Sequence, residues 1–440
     1  MTIFRTALAL AMLAAGPAGA QPAPAAPITL IHAGTLLAVP GQAAQPRQTI
    51  VVQAGRIVEV KDGFATQPGA TIIDLGDSFV LPGLIDMHVH LDGELGPTNE
   101  LDAVKNSDED AALRAAMFGE RTLQAGFTTV RNLGGSPGVK AVRDAAARGQ
   151  LAAPTIVDAG SGVGITGGHG DIHGYNEKVT AAFRGDAATL CNGADDCARA
   201  TRESIRRGAD VVKIAATGGV LSSVAGGLGQ QMSDAEIKAV VDSAHAFGRK
   251  VAVHAHAKDG IDAALRLGAD SIEHGSFTDK DSIALFKKSG AYLVPTLLAP
   301  HDVIANIDKL GLSPASAAKA REAARSSFEN TRAAIAAGVK IAFGTDTGVS
   351  PHGGNARELK LLVDAGMTPA QAIRSATVSA ADLLGQSASV GTIEPGKRAD
   401  IIAVAGDPLS DVTRLEKVDF VMARGTVFKQ GGERQAFAPR

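Results

Sequence analysis

Aromatic side chains are scarce in this chain of 440 residues, which has no tryptophan and only two tyrosines, Tyr175 and Tyr292. Sites for polysaccharides and single-stranded nucleic acids usually stack their ligands on aromatic rings. Basic residues are not in excess either, since 43 Lys+Arg stand against 46 Asp+Glu and the formal net charge is −3. A nucleic-acid-binding protein normally carries a basic surface. The composition therefore indicates a small-molecule partner and no nucleic acid.

Cysteine is also scarce, with Cys191 and Cys197 as the only two. In an oxidising compartment they could pair across a short loop, and two free thiols are the alternative. Their spacing is not the Cys-x-x-Cys of a zinc ribbon. We expect a structural rather than a catalytic role for both.

Long apolar runs are missing after the N-terminus. Residues 1–20 combine a charged start at Arg5, a short apolar stretch over residues 7–15 and the small residues Ala18-Gly19-Ala20 before Gln21. This pattern predicts a secretory signal peptide cleaved after Ala20, and its apolar stretch is too short to span a bilayer. We expect an exported bacterial protein, periplasmic or secreted, with no membrane attachment.

Two kinds of pattern divide the mature chain. Residues 21–82 and 391–440 contain short strand-like runs and are expected to form one small β-sandwich from both chain ends. Residues 83–390 alternate apolar runs with Ala-rich helical stretches, which is typical of an α/β fold. The eight apolar runs cover residues 84–90, 127–132, 155–159, 209–215, 250–255, 270–275, 291–297 and 339–346.

Eight such runs with crossover helices predict a (β/α)8 barrel of the TIM type over residues 83–390. A doubly wound sheet is the competing topology. No Gly-x-Gly-x-x-Gly follows a strand with an acidic residue at the right distance after it, so nothing in the sequence favours a dinucleotide-binding fold.

Histidines and one aspartate fall at the ends of these runs. His88 and His90 share a parity on the first run, so their imidazoles leave the strand on the same side and are placed to bind a metal ion. His254 and His274 lie near the ends of the fifth and sixth runs, and Asp346 ends the eighth. Each has an ordinary alternative role, such as a helix cap for Asp346. Catalytic groups of barrels collect at strand ends, so we expect all five at one barrel mouth.

Lys213 lies within the apolar fourth run, where a buried ammonium loses its proton easily. A neutral lysine amine can react with CO₂ to give a carbamate that bridges two cations, whereas an ordinary lysine would reach solvent or an acid. We expect His88, His90 and Asp346 on one cation and His254 and His274 on the other. Zn²⁺ suits these ligands best, with Mn²⁺, Co²⁺ and Fe²⁺ as alternatives. His256 is expected in a loop past its strand.

These residues, in this order, resemble the binuclear amidohydrolase superfamily, and the resemblance includes the tail motif at residues 391–400. The segments 166–170, 217–222 and 350–353 look like the imidazolonepropionase-related dipeptidase branch. Members of that branch cleave Xaa-Pro dipeptides, remove C-terminal basic residues or hydrolyse the amide of ochratoxin A. The resemblance implies two divalent metal ions, N6-carboxylysine at Lys213, and homo-oligomers that are often octamers.

The reaction that this resemblance implies is metal-assisted hydrolysis of the amide bond of a dipeptide or an N-acyl amino acid. Asp346 would take a proton from the attacking water and pass it to the leaving amine. His169, in a glycine-rich loop after the third run, would stabilise the developing oxyanion. A structural hydrogen bond is the alternative role for His169.

Substrate contacts are less well defined by the sequence. His173 and Tyr175 share the loop of His169, and Arg131 and Arg357 follow strand ends where they could bind a substrate carboxylate or form ordinary ion pairs. His352 lies in the loop after the eighth run. Hydrolysis of a cyclic amide, imide or lactone on the same metal centre is the alternative activity. A non-catalytic metal-binding protein is the remote one.

Overall fold

The structure is a computed structural model that describes residues 26–96, 99–172, 174–184, 188–222, 227–310, 312 and 314–439. The expected signal peptide at residues 1–20 and the candidate contact His173 lie outside the described residues.

Strands and helices alternate through most of the chain. The strands are β1 (Ile28–Leu36), β2 (Gln45–Gln53), β3 (Arg56–Asp62), β4 (Thr71–Pro82), β5 (Leu84–Val89), β6 (Phe127–Asn132), β7 (Thr155–Asp158), β8 (Gly164–Ile165), β9 (Leu190–Cys191), β10 (Val212–Ala215), β11 (Val251–Ala255), β12 (Ser271–His274), β13 (Tyr292–Val294), β14 (Ile401–Val404), β15 (Phe420–Ala423), β16 (Thr426–Gln430) and β17 (Glu433–Arg434). The helices are α1 (Asn99–Lys105), α2 (Asp108–Gln124), α3 (Pro137–Ala147), α4 (Glu177–Arg184), α5 (Ala194–Arg206), α6 (Asp234–Ala246), α7 (Lys258–Leu267), α8 (Lys280–Ser289), α9 (Leu298–Ala305), α10 (Pro314–Ala336), α11 (Arg357–Asp364), α12 (Pro369–Arg374) and α13 (Ala380–Leu383), with a π-helical turn at Ser375–Ser379 and a 3₁₀ turn at Val412–Glu416.

Both chain ends contribute to one eight-stranded sheet in the order β17-β16-β15-β14-β4-β1-β2-β3. Strand β14 pairs antiparallel with β4, so that Ile401 lies opposite Pro82. Ile31 and Ile50 from the first end share a core with Phe420 from the other. The sequence led us to expect one small β-sandwich from both chain ends, and in the structure the hydrogen bonds of one continuous sheet join the two ends.

The middle of the chain forms a ring of parallel strands. Strands β5, β6 and β7 make one parallel sheet, and β10 to β13 make another. The amide of Asp210 donates to the carbonyl of Asp158 over 2.7 Å, which links the second sheet to the first. Buried side chains from these strands and the surrounding helices share one large core.

The segment around residue 343 closes the ring. The amide of Met87 in β5 donates to the carbonyl of Phe343 over 2.9 Å, and the amide of Ala342 donates to the carbonyl of Leu293 in β13 over 3.1 Å. The expected eighth strand is therefore present as an extended segment with isolated bridges rather than a regular strand. Asp346 has a φ of 57° at its end, a left-handed conformation that interrupts the ladder.

Local sequence signals determine where several helices begin. Ser233 caps α6 and forms a capping box with Glu236, and Thr368 does the same for α12 with Gln371. Within the part of the chain that the structure describes, no helix has both the length and the apolar character needed to cross a membrane. Cys191 and Cys197, which join β9 to α5, form a disulfide.

Candidate active site

The residues expected at the barrel mouth line one cavity of about 330 Å³. Parallel strands present their carboxyl ends at the same rim, so side chains at these ends meet although they are far apart in sequence. His88, His90, Lys213, His254 and Asp346 all lie on the wall of this cavity, together with His274 and His169.

One group consists of His88, His90 and Asp346. The Nε2 atoms of His88 and His90 lie 3.5 Å and 3.2 Å from Oδ1 of Asp346. The opposite ring nitrogens face acceptors, because Nδ1 of His88 is 2.9 Å from Oε2 of Glu273 and Nδ1 of His90 is 3.3 Å from the carbonyl of Gly134. Assigning the ring protons from these partners places a hydrogen on each Nδ1 and turns each Nε2 lone pair toward Asp346.

The charges in this group favour a cation. Burial lowers the pKa of His88 to about 4. Burial opposes ionisation of Asp346, but His88 and His90 outweigh it and hold the pKa of this carboxyl below its ordinary value. Burial by itself would lower the pKa of His90, but the hydrogen bond and charge of Asp346 outweigh burial and raise the pKa above its ordinary value. The group therefore attracts positive charge. Oδ1 of Asp346 is buried and accepts no hydrogen bond. Three converging lone pairs with an orphaned carboxylate oxygen fit a divalent metal ion.

The second group consists of His254, His256 and His274, whose ring nitrogens lie within 4.8 Å of one another. Nδ1 of His256 is 2.8 Å from the hydroxyl of Ser276, and Nδ1 of His274 is 2.7 Å from the hydroxyl of Thr296. Burial is the main cause that lowers the pKa of His256 to about 3 and the pKa values of His254 and His274 well below the ordinary value. Neutral imidazoles are the form that binds metal ions.

His256 is therefore part of a candidate ligand group, although its place past the predicted strand end had indicated a loop residue. The signal available in the sequence was its parity with His254, two residues before it. In the structure the rings of His254 and His256 lie next to each other, with their centroids 4.7 Å apart.

Lys213 in β10 lies on the cavity wall beside these groups. Burial lowers the pKa of its amine to about 8, against the opposing charges of Glu273 and Asp346. A lysine with this pKa supplies the neutral, nucleophilic amine far more readily than an exposed lysine does.

His169 lies on the same wall, with its ring centroid 4.3 Å from that of His254. Its backbone amide donates to the side chain of Gln231 over 2.7 Å, which fixes the loop. Gly219 lies against the imidazole, and a β-carbon there would be 2.2 Å from Cε1 of His169. Glycine at position 219 thus makes room for the His169 ring in the cavity.

The structure places Arg131 and Arg357 in ion pairs, which is the second of the two roles that the sequence left open for them. Arg131 is 2% exposed inside the ring, where its guanidinium donates to Glu273 over 2.8 Å and to Ser271 over 3.1 Å. Arg357 donates through both terminal nitrogens to the carboxylate of Asp302, at 2.8 Å and 2.7 Å. Neither arginine lines the cavity. Both charges are neutralised by acidic partners within the protein.

His352 does not line the cavity either, contrary to expectation. Its Nε2 lies 3.1 Å from the carbonyl oxygens of both His90 and Gly93, so it fixes the loop after β5 from behind. Tyr175 is partly exposed in the loop of His169 and is not among the described residues on the cavity wall. The structure thus places neither His352 nor Tyr175 on the wall of this cavity.

Two buried acids that the sequence analysis missed support the first group. One carboxylate oxygen of Glu273 accepts the hydrogen bond from Nδ1 of His88, and the other oxygen pairs with the guanidinium of Arg131. Asp86 accepts hydrogen bonds from the amide of His88 and from the amide and hydroxyl of Thr345, which tie β5 to the segment that carries Asp346. The signal for both was an acidic residue within an otherwise apolar run.

The chain matches the model of the amidohydrolase family over residues 79–428. It belongs to this family. It is 32% identical over 430 residues to the ochratoxinase of Aspergillus niger, and this alignment covers 92% of this chain and 88% of that protein.

Solved structures of relatives agree with this assignment. One is a Xaa-Pro dipeptidase with bound methionine in its active site, with 38% identity and a TM-score of 0.84 over 91% of this chain and 100% of that one. Another is a prolidase complexed with N-methylphosphonate-L-proline, with 31% identity and a TM-score of 0.84 over 92% and 100% of the two chains. The protein is thus an amidohydrolase, a hydrolase that acts on amide bonds, and its two histidine groups agree with metal binding.

Proposed function

We propose that this amidohydrolase is an exported, binuclear metalloenzyme that hydrolyses the amide bond of dipeptides or N-acyl amino acids. The observation that carries the proposal is the convergence of two groups of ring nitrogens, with Lys213 beside them, on one cavity. The relatives support the substrate class, since a Xaa-Pro dipeptidase, a prolidase and an ochratoxinase cover nearly the whole chain.

The residues divide between two metal ions. His88, His90 and Asp346 would hold one, His254 and His274 would hold the other, and Lys213, carboxylated to N6-carboxylysine, would bridge them. Zn²⁺ is our first choice because imidazole and carboxylate ligands suit it. When bound, the two ions supply Lewis acidity toward the substrate carbonyl and lower the pKa of water at the site.

The side chains perform the proton transfers. Asp346 has the low pKa of a carboxylate that is ionised at neutral pH, so it can accept the proton of the attacking water. It then passes this proton to the nitrogen of the leaving amine. His169, on the same wall, donates a hydrogen bond to the carbonyl oxygen as negative charge develops there. Asp346 is 8% exposed, so its proton transfer takes place largely out of contact with bulk water, where electrostatic interactions are stronger.

The finer organisation belongs to the same proposal. We assign residues 1–20 to a signal peptide, residues 21–82 and 391–440 to a β-sandwich domain, and residues 83–390 to a (β/α)8 barrel. The disulfide between Cys191 and Cys197 supports a periplasmic or secreted location, since disulfides persist in oxidising compartments. We also propose that the protein is a homo-oligomer.

The test is a screen of dipeptides and N-acyl amino acids, with metal analysis on the same sample. We expect turnover of at least one linear amide and about two divalent ions per chain. Native mass spectrometry should show the added mass of CO₂, which is lost in acid. Turnover of cyclic amides, imides or lactones alone would replace the proposal with that activity. Metal binding without any turnover would make the chain a non-catalytic metal-binding protein.

A further inference from the structure

The wall of the cavity away from the metal-binding groups is aliphatic. It is formed by α9, α10 and the loops after β10 and Asp346, and we call it the aliphatic wall. Its members are Val220, Leu221, Ala299, Pro300, Val303, Ala320, Ala323, Ser327 and Val349. Several of these side chains also belong to one apolar cluster. A substrate group that enters this part of the cavity therefore leaves water for hydrocarbon surroundings.

Charge is absent from the aliphatic wall. Of the described residues that line the whole cavity, Lys213 and Asp346 are the only lysine, arginine, aspartate or glutamate side chains, and both lie in the proposed metal centre. Lys319 neighbours Ala320 but donates its ammonium to the carbonyl of Ser222 over 3.0 Å and does not line the cavity. A charged substrate side chain would therefore meet no partner of opposite sign among the described residues of the wall. Burying a charge without such a partner is strongly unfavourable, whereas each buried methylene is favourable.

Helix α10 sets the depth of this region through small side chains. Ala320, Ala323 and Ser327 are spaced at i, i+3 and i+7, so they lie on one face of the helix. They are 2%, 3% and 2% exposed, and all three lie on the cavity wall. Leucine at the positions of these alanines would project into the space that a substrate side chain would fill.

We propose, as an extension of the proposed function, that the aliphatic wall is the subsite for a neutral aliphatic or thioether side chain of the substrate. The subsite excludes both acidic and basic side chains at the substrate position that contacts the wall. Ala320 and Ala323 are specificity-determining residues because they set the size of the side chain that fits.

The first experiment compares kcat/KM for dipeptides and N-acetyl amino acids that differ in one side chain, each position being varied in turn. From alanine to leucine or methionine we expect about fourfold per added methylene at the position that contacts the wall. Lysine and glutamate should be at least ~100-fold worse than methionine there. Equal or better turnover of the charged substrates would overturn the inference and leave the proposed function intact.

A binding measurement separates the two proposals. If no linear amide is hydrolysed, the proposed function fails. The inference is then tested by measuring how far each free amino acid raises the melting temperature of the metal-loaded protein. Leucine and methionine must then stabilise the protein more than lysine and glutamate do. The reverse order would refute the aliphatic subsite.

The second experiment uses Ala→Leu substitutions on α10. Ala323→Leu should lower kcat/KM for the methionine substrate at least ~10-fold and for the alanine substrate less than ~3-fold. Ala318→Leu is the matched control, because Ala318 is exposed on the same helix, and it should change neither value. Equal losses on both substrates would remove Ala323 from specificity.

Ser327→Asp provides an independent test that depends on a gain of activity. It places a carboxylate on the wall, so the lysine substrate should improve at least ~10-fold relative to the methionine substrate. Circular dichroism and melting temperature establish that the variant is folded. A folded variant that keeps the original order of preference would contradict the placement of the substrate side chain at this wall.

Discussion

Asp346 combines a left-handed backbone conformation, a buried carboxylate oxygen without a hydrogen bond and two facing imidazoles. We predict that Asp346→Asn lowers kcat by about 10³-fold or more, because the amide has no basic oxygen to accept the proton of the attacking water. Metal content should remain largely intact, since five other side chains would still hold the two proposed ions. Turnover assays and elemental analysis on one preparation measure both. Retained activity would remove Asp346 from proton transfer.

Glu273 is a positioning residue that acts through His88. The carboxylate fixes the ring of His88, so Glu273→Gln should weaken metal affinity about 10- to 100-fold, as is typical when a carboxylate behind a ligating histidine is lost. Titration with Zn²⁺ against a chelator measures the affinity. Glu358→Gln is the matched control, because Glu358 is equally buried and accepts hydrogen bonds from the amides of Leu297 and Leu298. Equal affinity losses in both variants would indicate general damage instead.

Sequence reasoning at this scale succeeded where strand parity alone decides the outcome. His88 and His90 share one face of β5, and the structure turns both toward Asp346. It left the role of Arg131 open between a substrate contact and an ion pair, because parity does not reveal that Glu273, 142 positions later, binds its guanidinium. Partners brought together only by ring closure have no local sequence signal.

At the scale of the element, α8 offers a cap that depends on charge. Asp279 accepts hydrogen bonds from the amides of Asp281 and Ser282 and pairs with Lys258 at 2.7 Å. Asp279→Ala should lower the free energy of unfolding by about 1 kcal/mol at neutral pH, the usual cost of losing a helix cap. Thermal unfolding measures this loss. Asp279→Asn is the control, because it keeps an acceptor and loses only the exposed ion pair, so its loss should be smaller.

The same cap has a definite pH dependence. Lys258 and the helix amides lower the pKa of Asp279 to about 2, below its ordinary 3.8, so the unfolded chain binds this proton more readily than the folded one. The stabilisation is complete above pH 3.8 and is lost as the pH falls through about 2. The difference between the native chain and Asp279→Ala should shrink over this range, and a difference that grows in acid would contradict the assignment.

Elements with strong local signals were predictable, whereas those maintained by distant partners were not. The capping boxes at Ser233 and Thr368 are signals within four consecutive residues, and they define the beginnings of α6 and α12. The run over residues 339–346 has the composition of a strand, yet it forms only isolated bridges. Its left-handed terminus at Asp346 follows from the site rather than from local propensity.

The whole molecule depends on both chain ends being present. Strand β14 covers one edge of β4, so a chain ending at residue 398 would leave that edge of Phe79–Pro82 without a partner and remove Phe420 from the core. We predict that this truncated chain aggregates on expression, as measured by size-exclusion chromatography. A chain ending at Gly432 keeps β14 to β16 and should stay folded. Normal folding of the shorter chain would show that the ring does not need the shared sheet.

The order in which the ligands occur along the polypeptide governs when an ion can be captured. His88 is synthesised early, whereas Asp346 is synthesised much later. The two side chains come together only when the last segment of the ring packs beside β5. During most of its synthesis, the nascent chain therefore lacks the complete group of His88, His90 and Asp346. With the proposed ligands, loading of the ion would be a late step of maturation, and a substitution that delays this docking would leave the centre short of its ion with every ligand intact.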